Sequence, residues 1–142
     1  MKNPKAYKAY QSAQGQSISP HRATIMAYEW CLAQLNFVQV KYAELRFSEG
    51  DERLIRMEQV LLELKMGLTT EYNFIPEEMR EQVLAHANNI RILYEWIVEE
   101  LNRIRMTKQT ENMPTITKCI QDLLEAERYA EQVYFGEQQH GK

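Results

Sequence analysis

What this chain has little of narrows the choice of fold. Five glycines and four prolines in 142 residues are too few for the turns of an all-β protein, and no period-two alternation marks a half-buried strand. The two cysteines, Cys31 and Cys119, stand far apart and cannot make the disulfide framework of a small secreted domain. Both fall among apolar neighbours at helical spacing, as small core residues in a reducing compartment do. No run of about 18 apolar residues is available to cross a bilayer, and the N-terminus lacks the apolar segment of a secretory signal. Charge of one sign is missing too. With 17 basic and 20 acidic residues the formal net charge is −3, and no basic face or aromatic-plus-basic repeat offers itself to nucleic acid. The expectation is one soluble domain in the cytoplasm, without membrane insertion, and long enough to bury a core.

What is there is helix. From Ser19 to Phe47, Ile25, Tyr28, Leu32, Leu35 and Tyr42 form one apolar stripe at helical spacing. Met26, Trp30, Ala33, Phe37 and Val40 form a second beside it, and Cys31, Val38 and Leu45 a third. One contact covers a stripe about 100° wide, so a helix apolar on several sides is central to a core or keeps surface for a partner. Ser19-Pro20 marks its start and the Ser48-Glu49-Gly50-Asp51 turn its end, giving a helix over 19–48. A second, 51–70, carries the seam Leu54, Met57, Leu61, Leu64 and Leu68, with Ile55, Leu62 and Met66 beside it. Pro76 opens a third over 76–107, with the seam Val83, Ala87, Ile90, Tyr94, Ile97, Leu101 and Ile104. Pro114 opens a fourth over 114–135, with Ile116, Ile120, Leu123, Ala130 and Tyr134, interrupted by Glu127 and stopped by Gly136. Steps of three and four are those of an antiparallel four-helix bundle. The division expected is an N-terminal arm or short helix over 1–18 packing on the bundle, the all-α bundle over 19–136, and a polar tail over 137–142.

No constellation for catalysis or metal binding is present. The one Glu-x-x-His spacing, Glu137 to His140, lies in the polar tail, and His21 and His86 have no ligand partner at metal spacing. Gly-rich phosphate loops and nucleophile motifs are absent. Carboxylates such as Glu58, Glu63, Glu99 and Glu100 fall on outward helical positions, the pattern of a solvated face. The reading is a protein without turnover, cofactor or metal. Surplus apolar and aromatic surface remains, and its natural use is a groove for a partner's amphipathic helix. The positions offset from the core stripes are Met26, Trp30 and Phe37 on the first helix and Ile55, Leu62 and Met66 on the second.

Several segments in order resemble one family. Tyr7-Lys8-Ala9-Tyr10-Gln11, a polar linker with Ile18, Ser19-Pro20 and Met26-Ala27-Tyr28-Glu29 are similar to the opening of the FliS family of flagellin export chaperones. Gly50-Asp51, Glu63-Leu64, Leu68 and Glu71-Tyr72 follow its second helix and turn, and Leu93-Tyr94-Glu95-Trp96-Ile97 with Leu101 its third. Trp30 stands where the family has a small residue, and Glu127 lies near its late Trp. The resemblance implies a cytosolic bundle that binds the disordered C-terminal region of flagellin, prevents its premature polymerisation and delivers it to the export apparatus, with flagellar export components as further partners. It also implies that the arm, through Tyr7, Tyr10 and Ile18, lies over the bundle and moves when the client binds. The alternative is a structural or regulatory bundle that self-associates through the same stripes and has no flagellin client.

Overall fold

The structure, a computed structural model, describes residues 20–70 and 77–140, excepting the side chains of residues 20, 69–70 and 134–140. It contains four helices and, among the described residues, no strand: α1 (Pro20–Ala43), α2 (Phe47–Thr70), α3 (Glu77–Thr107) and α4 (Met113–His140). Ion pairs set the packing directions. Glu58 and Lys65 of α2 meet Arg105 and Glu95 of α3, and Arg22 and Glu29 of α1 meet Glu131 and Arg128 of α4. As one number rises the other falls, so neighbours run antiparallel. Helix α1 lies between α4 and α2, and α2 between α1 and α3, while the backbones of α3 and α4 stay apart.

The expected seams form the core. Ile25, Tyr28, Leu35 and Tyr42 are buried on α1, Leu54, Met57, Leu61 and Leu64 on α2, and Tyr94, Ile97, Leu101 and Ile104 on α3. Ile116, Ile120 and Leu123 complete the core from α4. Val60, Met113 and Leu124, outside the expected rows, are buried as well.

The first turn is not where glycine pointed. Helix α1 ends at Ala43, and Ser48–Asp51 already belongs to α2. Leu45 takes the left-handed conformation (φ 61°), and two hydrogen bonds close the helix around it, Leu45 N–H to Tyr42 O (3.0 Å) and Arg46 N–H to Lys41 O (2.8 Å). This is the Schellman arrangement, filled by leucine where glycine is usual. Lys108 ends α3 in the same conformation (φ 62°), its N–H on Ile104 O at 2.7 Å. Gly50 serves a different need, close approach. A Cβ there would stand 2.6 Å from Tyr42 Cε1.

The two turns occupy one end of the bundle and are pinned together. Tyr42 donates its hydroxyl proton to Asp51, whose other oxygen accepts from Lys108 Nζ at 2.5 Å. The Tyr42 and Phe47 rings meet edge to face at 5.0 Å, and the Lys108 ammonium lies 6.0 and 5.9 Å from their centroids. Gly136 does not stop α4, which continues to His140. A glycine lowers helix stability by only about 1 kcal/mol against alanine, too little to end a helix by itself.

Candidate functional site

Among the described residues, apolar surface not consumed by the core is spread over all four helices, with Met79, Leu84, Ile92 and Met106 on α3, and one part of it forms a strip on the outer edge of α2. Ile55, Leu62 and Met66 are 42, 44 and 70% exposed. Spaced by seven and four, they lie about 100–140° around the helix from the buried Leu61 row, at 100° per residue. Between them and the core run two ion pairs across the α2–α3 seam. Arg105 Nε donates to Glu58 Oε2 at 3.0 Å, and Lys65 Nζ meets Glu95 Oε2 at 2.7 Å. The Glu58 contact, opposed in part by burial, holds the Arg105 guanidinium above its ordinary range. The ion pairs close the seam beneath the strip, so the three apolar side chains are left outside it.

The α1 positions behave differently. Trp30 is 1% exposed and belongs to the core, which corrects its placement on an accessible surface. A 3.6-residue wheel puts it almost opposite Tyr28, but the large indole finds cover there. Met26 is half-buried and packs against the core. Phe37 is also half-buried, with the Arg53 guanidinium 4.0 Å and the Lys41 ammonium 5.3 Å from its centroid. Arg53 is held there by donating to Gln34 Oε1 at 2.5 Å, so this ring is engaged in cation–π contacts with its own chain. Tyr7, Tyr10 and Ile18 lie outside the described residues.

A second feature lies at the end opposite the pinned turns. There residues of all four helices line an open cleft of about 640 Å³. Its walls are mostly small and aliphatic, from Ala23 on α1, Leu64 on α2, Val83, Ala87 and Ile90 on α3, and Ala126 and Ala130 on α4. Tyr28 and Tyr94 line it and share a hydrogen bond at 2.5 Å. Burial first, then the neighbouring Tyr94, pushes the Tyr28 hydroxyl well above its ordinary range. The Tyr28 hydroxyl therefore stays a neutral polar group. Glu127, the acid that interrupts the α4 seam, meets His21 Nδ1 at 2.5 Å on the cleft wall. Its place on an apolar row is explained by that pair. His86 and Glu63 also border the cleft. Among the described residues, no three His, Cys, Asp or Glu side chains come together as a metal site.

Glu100 was expected on a solvated face and is instead 2% exposed. It accepts from Asn112 Nδ2 at 2.6 Å and pairs with Arg103 at 3.2 Å. Glu58 is drawn in by Arg105 in the same way. Helical phase alone does not reveal carboxylates recruited by a neighbouring helix or turn.

A helical bundle with an apolar strip outside its own seams and an open cleft at one end has the make-up of a protein that receives another polypeptide. The sequence model of the family described as Flagellar protein FliS matches residues 1–132, and the chain belongs to that family. A solved structure described as the crystal structure of a flagellar chaperone from bacteria superposes with a TM-score of 0.66 at 22% identity, covering 88% of this chain and 96% of its own. That likeness shows the shared helical fold. No curated protein matches the chain. Family membership supports a role as a flagellar chaperone. No helix among the described residues is long and apolar enough to cross a membrane.

Proposed function

We propose that the chain is a cytoplasmic export chaperone for flagellin, binding the disordered C-terminal region of newly made flagellin and passing it to the flagellar export apparatus. Membership of the FliS family supports this reading. The observation that carries it is the strip of Ile55, Leu62 and Met66, exposed beyond the ion pairs that close the α2–α3 seam. An amphipathic segment that would pair with its own kind buries its apolar face on this strip instead. Folding of such a segment on binding typically buries ~1,000–3,000 Å² and spends ~2–5 kcal/mol on ordering. Met26 and Phe37 contribute where their half-buried edges reach the surface. The arm, through Tyr7, Tyr10 and Ile18, covers apolar surface until the client arrives. In this reading the chain carries out no turnover and needs no metal or cofactor.

Calorimetric titration of the whole chain with a flagellin C-terminal fragment tests the proposal. Binding at micromolar concentration or tighter is expected, with weak salt dependence because apolar burial dominates. Leu62→Asp and Met66→Asp should each weaken binding at least tenfold, and urea unfolding should change little because both side chains already face solvent. No binding by the unaltered chain overturns the function. A mass that rises with concentration in its place would favour the self-associating bundle.

A further inference from the structure

The connections between the helices differ in what stops one helix from running into the next. Pro76 immediately precedes α3, and Pro114 lies in the first turn of α4. A proline breaks a continuous helix by removing an N–H and clashing with the turn before it. Between α1 and α2 there is no such stop. The link is Glu44-Leu45-Arg46, without glycine, and no proline occurs from residue 21 to residue 75. Glutamate, leucine and arginine are all good helix formers. The charges around the link also pair at helical spacing, Lys41 with Glu44 at 3.8 Å and Arg46 with Glu49 at 2.7 Å. The chain turns there because Leu45 takes φ 61°, a conformation that strains every residue with a side chain. That side chain is 74% exposed, so the strain gains little burial. Local preference and packing conflict at this residue. The link favours helix, and the contacts of α1 with α2 and α4 hold the turn.

We infer that this link is a hinge through which two copies of the chain exchange α1. With Leu45 in the right-handed region, α1 and α2 run on as one helix from Pro20 to Thr70, roughly 75 Å long at 1.5 Å per residue. Helix α1 then leaves its own α2 and α4 and lies on those of a second copy, which returns its α1 in the same way. Such a pairing is closed and two-fold symmetric. The second copy is the occupant because its α2 and α4 carry the very faces that α1 covers within one chain. Arg53–Gln34, Arg22–Glu131 and Arg128–Glu29 are remade between copies with the same partners. The exchange keeps these contacts and relieves a strained leucine in each chain, against the freedom two molecules lose on pairing. It therefore grows with concentration. It is independent of any flagellin client.

The test uses the whole chain, held at millimolar concentration just below its melting temperature, then cooled and diluted. Size exclusion with light scattering should show a dimer beside the monomer. Glu29 and Gln59 are exposed and stand level across the α1–α2 seam in the register set by Gln34–Arg53. Spin labels on Glu29→Cys and Gln59→Cys, in a Cys119→Ser background with Cys31 buried out of reach, tell which dimer forms. With labelled chains diluted in excess unlabelled ones, the two labels of one chain should stand about 45 Å apart in the dimer, the rise of a continuous helix between them. In the monomer they keep the short distance of the hairpin. Leu45→Gly, free to take the left-handed conformation, should raise the dimer dissociation constant at least tenfold. Leu45→Ala removes the exposed side chain but keeps the strain, and should dimerise within twofold of the unaltered chain. A chain that stays monomeric throughout overturns the inference. So does a dimer whose labels keep the hairpin distance, since closed bundles would then associate through their surfaces. A Leu45→Gly chain that dimerises as readily as the unaltered one overturns it as well. Each of these failures leaves the flagellin titration of the monomer untouched.

Discussion

At the scale of single residues, two glycines in one helix are expected to answer the same substitution with opposite signs. Alanine in a helix interior is favoured over glycine by about 1 kcal/mol. At Gly67 a methyl group meets no atom within 4 Å, so Gly67→Ala should raise stability by about that amount. At Gly50 the methyl would stand 2.6 and 2.8 Å from the Tyr42 ring. Tyr42 cannot simply swing aside, since its hydroxyl is held by Asp51 and its ring by Phe47. Overpacking of this kind costs ~1–3 kcal/mol, so Gly50→Ala should destabilise on balance. Urea unfolding of both variants checks it, and a gain at Gly50 would mean that the contact with Tyr42 yields easily. The buried Glu100 makes a second residue-scale case. Asn112→Ala removes its closest donor and leaves a carboxylate that is 2% exposed with Arg103 alone. A loss of ~1–3 kcal/mol is expected for a buried acceptor deprived of its partner, read by the same unfolding measurement. A change within a few tenths would show that water reaches the carboxylate.

At the scale of the helices, most of what could be read in advance lay in the periodicity. Leu54, Met57, Leu61 and Leu64 or Tyr94, Ile97, Leu101 and Ile104 recur so regularly that only a helix buries them together, and they form the core. The turn after α1 was misplaced because glycine is the usual sign of a left-handed helix end, whereas here Leu45 takes that conformation and Gly50 answers to the Tyr42 ring across the turn on α1. Nothing in a leucine announces φ 61°, a conformation that costs an ordinary residue ~1–2 kcal/mol and is offset by the hydrogen bonds it completes. The candidate surface was legible on α2, where Ile55, Leu62 and Met66 lie outside the core row and are exposed. It was not legible on α1, because periodicity says which residues share a face but not at what angle around the helix its neighbours stand. On α1 the indole of Trp30 is buried in the core and the Phe37 ring lies against Arg53. The register of α2 against α3 is revealed by the ion pairs Glu58–Arg105 and Lys65–Glu95 and not by spacing within one helix.

For the molecule as a whole, buried weak acids set a limit at alkaline pH. Burial pushes the Cys31 thiol up to about 12. The Tyr28 and Tyr42 hydroxyls are raised as well, by burial first and then by Tyr94 and Asp51 respectively. In the unfolded chain a thiol titrates near 8.5 and a tyrosine near 10. Above those values the unfolded chain releases protons that the folded one keeps, so stability is complete below about pH 8.5 and falls as pH rises through the folded values. At pH 10.5 Cys31 alone should account for roughly 2–3 kcal/mol, at about 1.4 kcal/mol per unit. Urea midpoints between pH 7 and 10.5 should fall, and Cys31→Ala should flatten the slope although it lowers stability at pH 7. An unchanged slope would mean that the thiol is not the group responsible.

The order in which the helices pack also differs from the order in which a ribosome makes them. Helix α4, the last of the four to be made, covers the flank of the first. His21–Glu127 and Arg22–Glu131 join residues more than a hundred positions apart. As the chain emerges, α1, α2 and α3 can collapse on one another in turn, but Ile25 and its neighbours on the far side of α1 have nothing against them until α4 is made. Closing so long a loop is the entropically expensive step of such a fold. A chaperone built this way spends its own synthesis with apolar surface uncovered, in the condition from which it is proposed to protect its client.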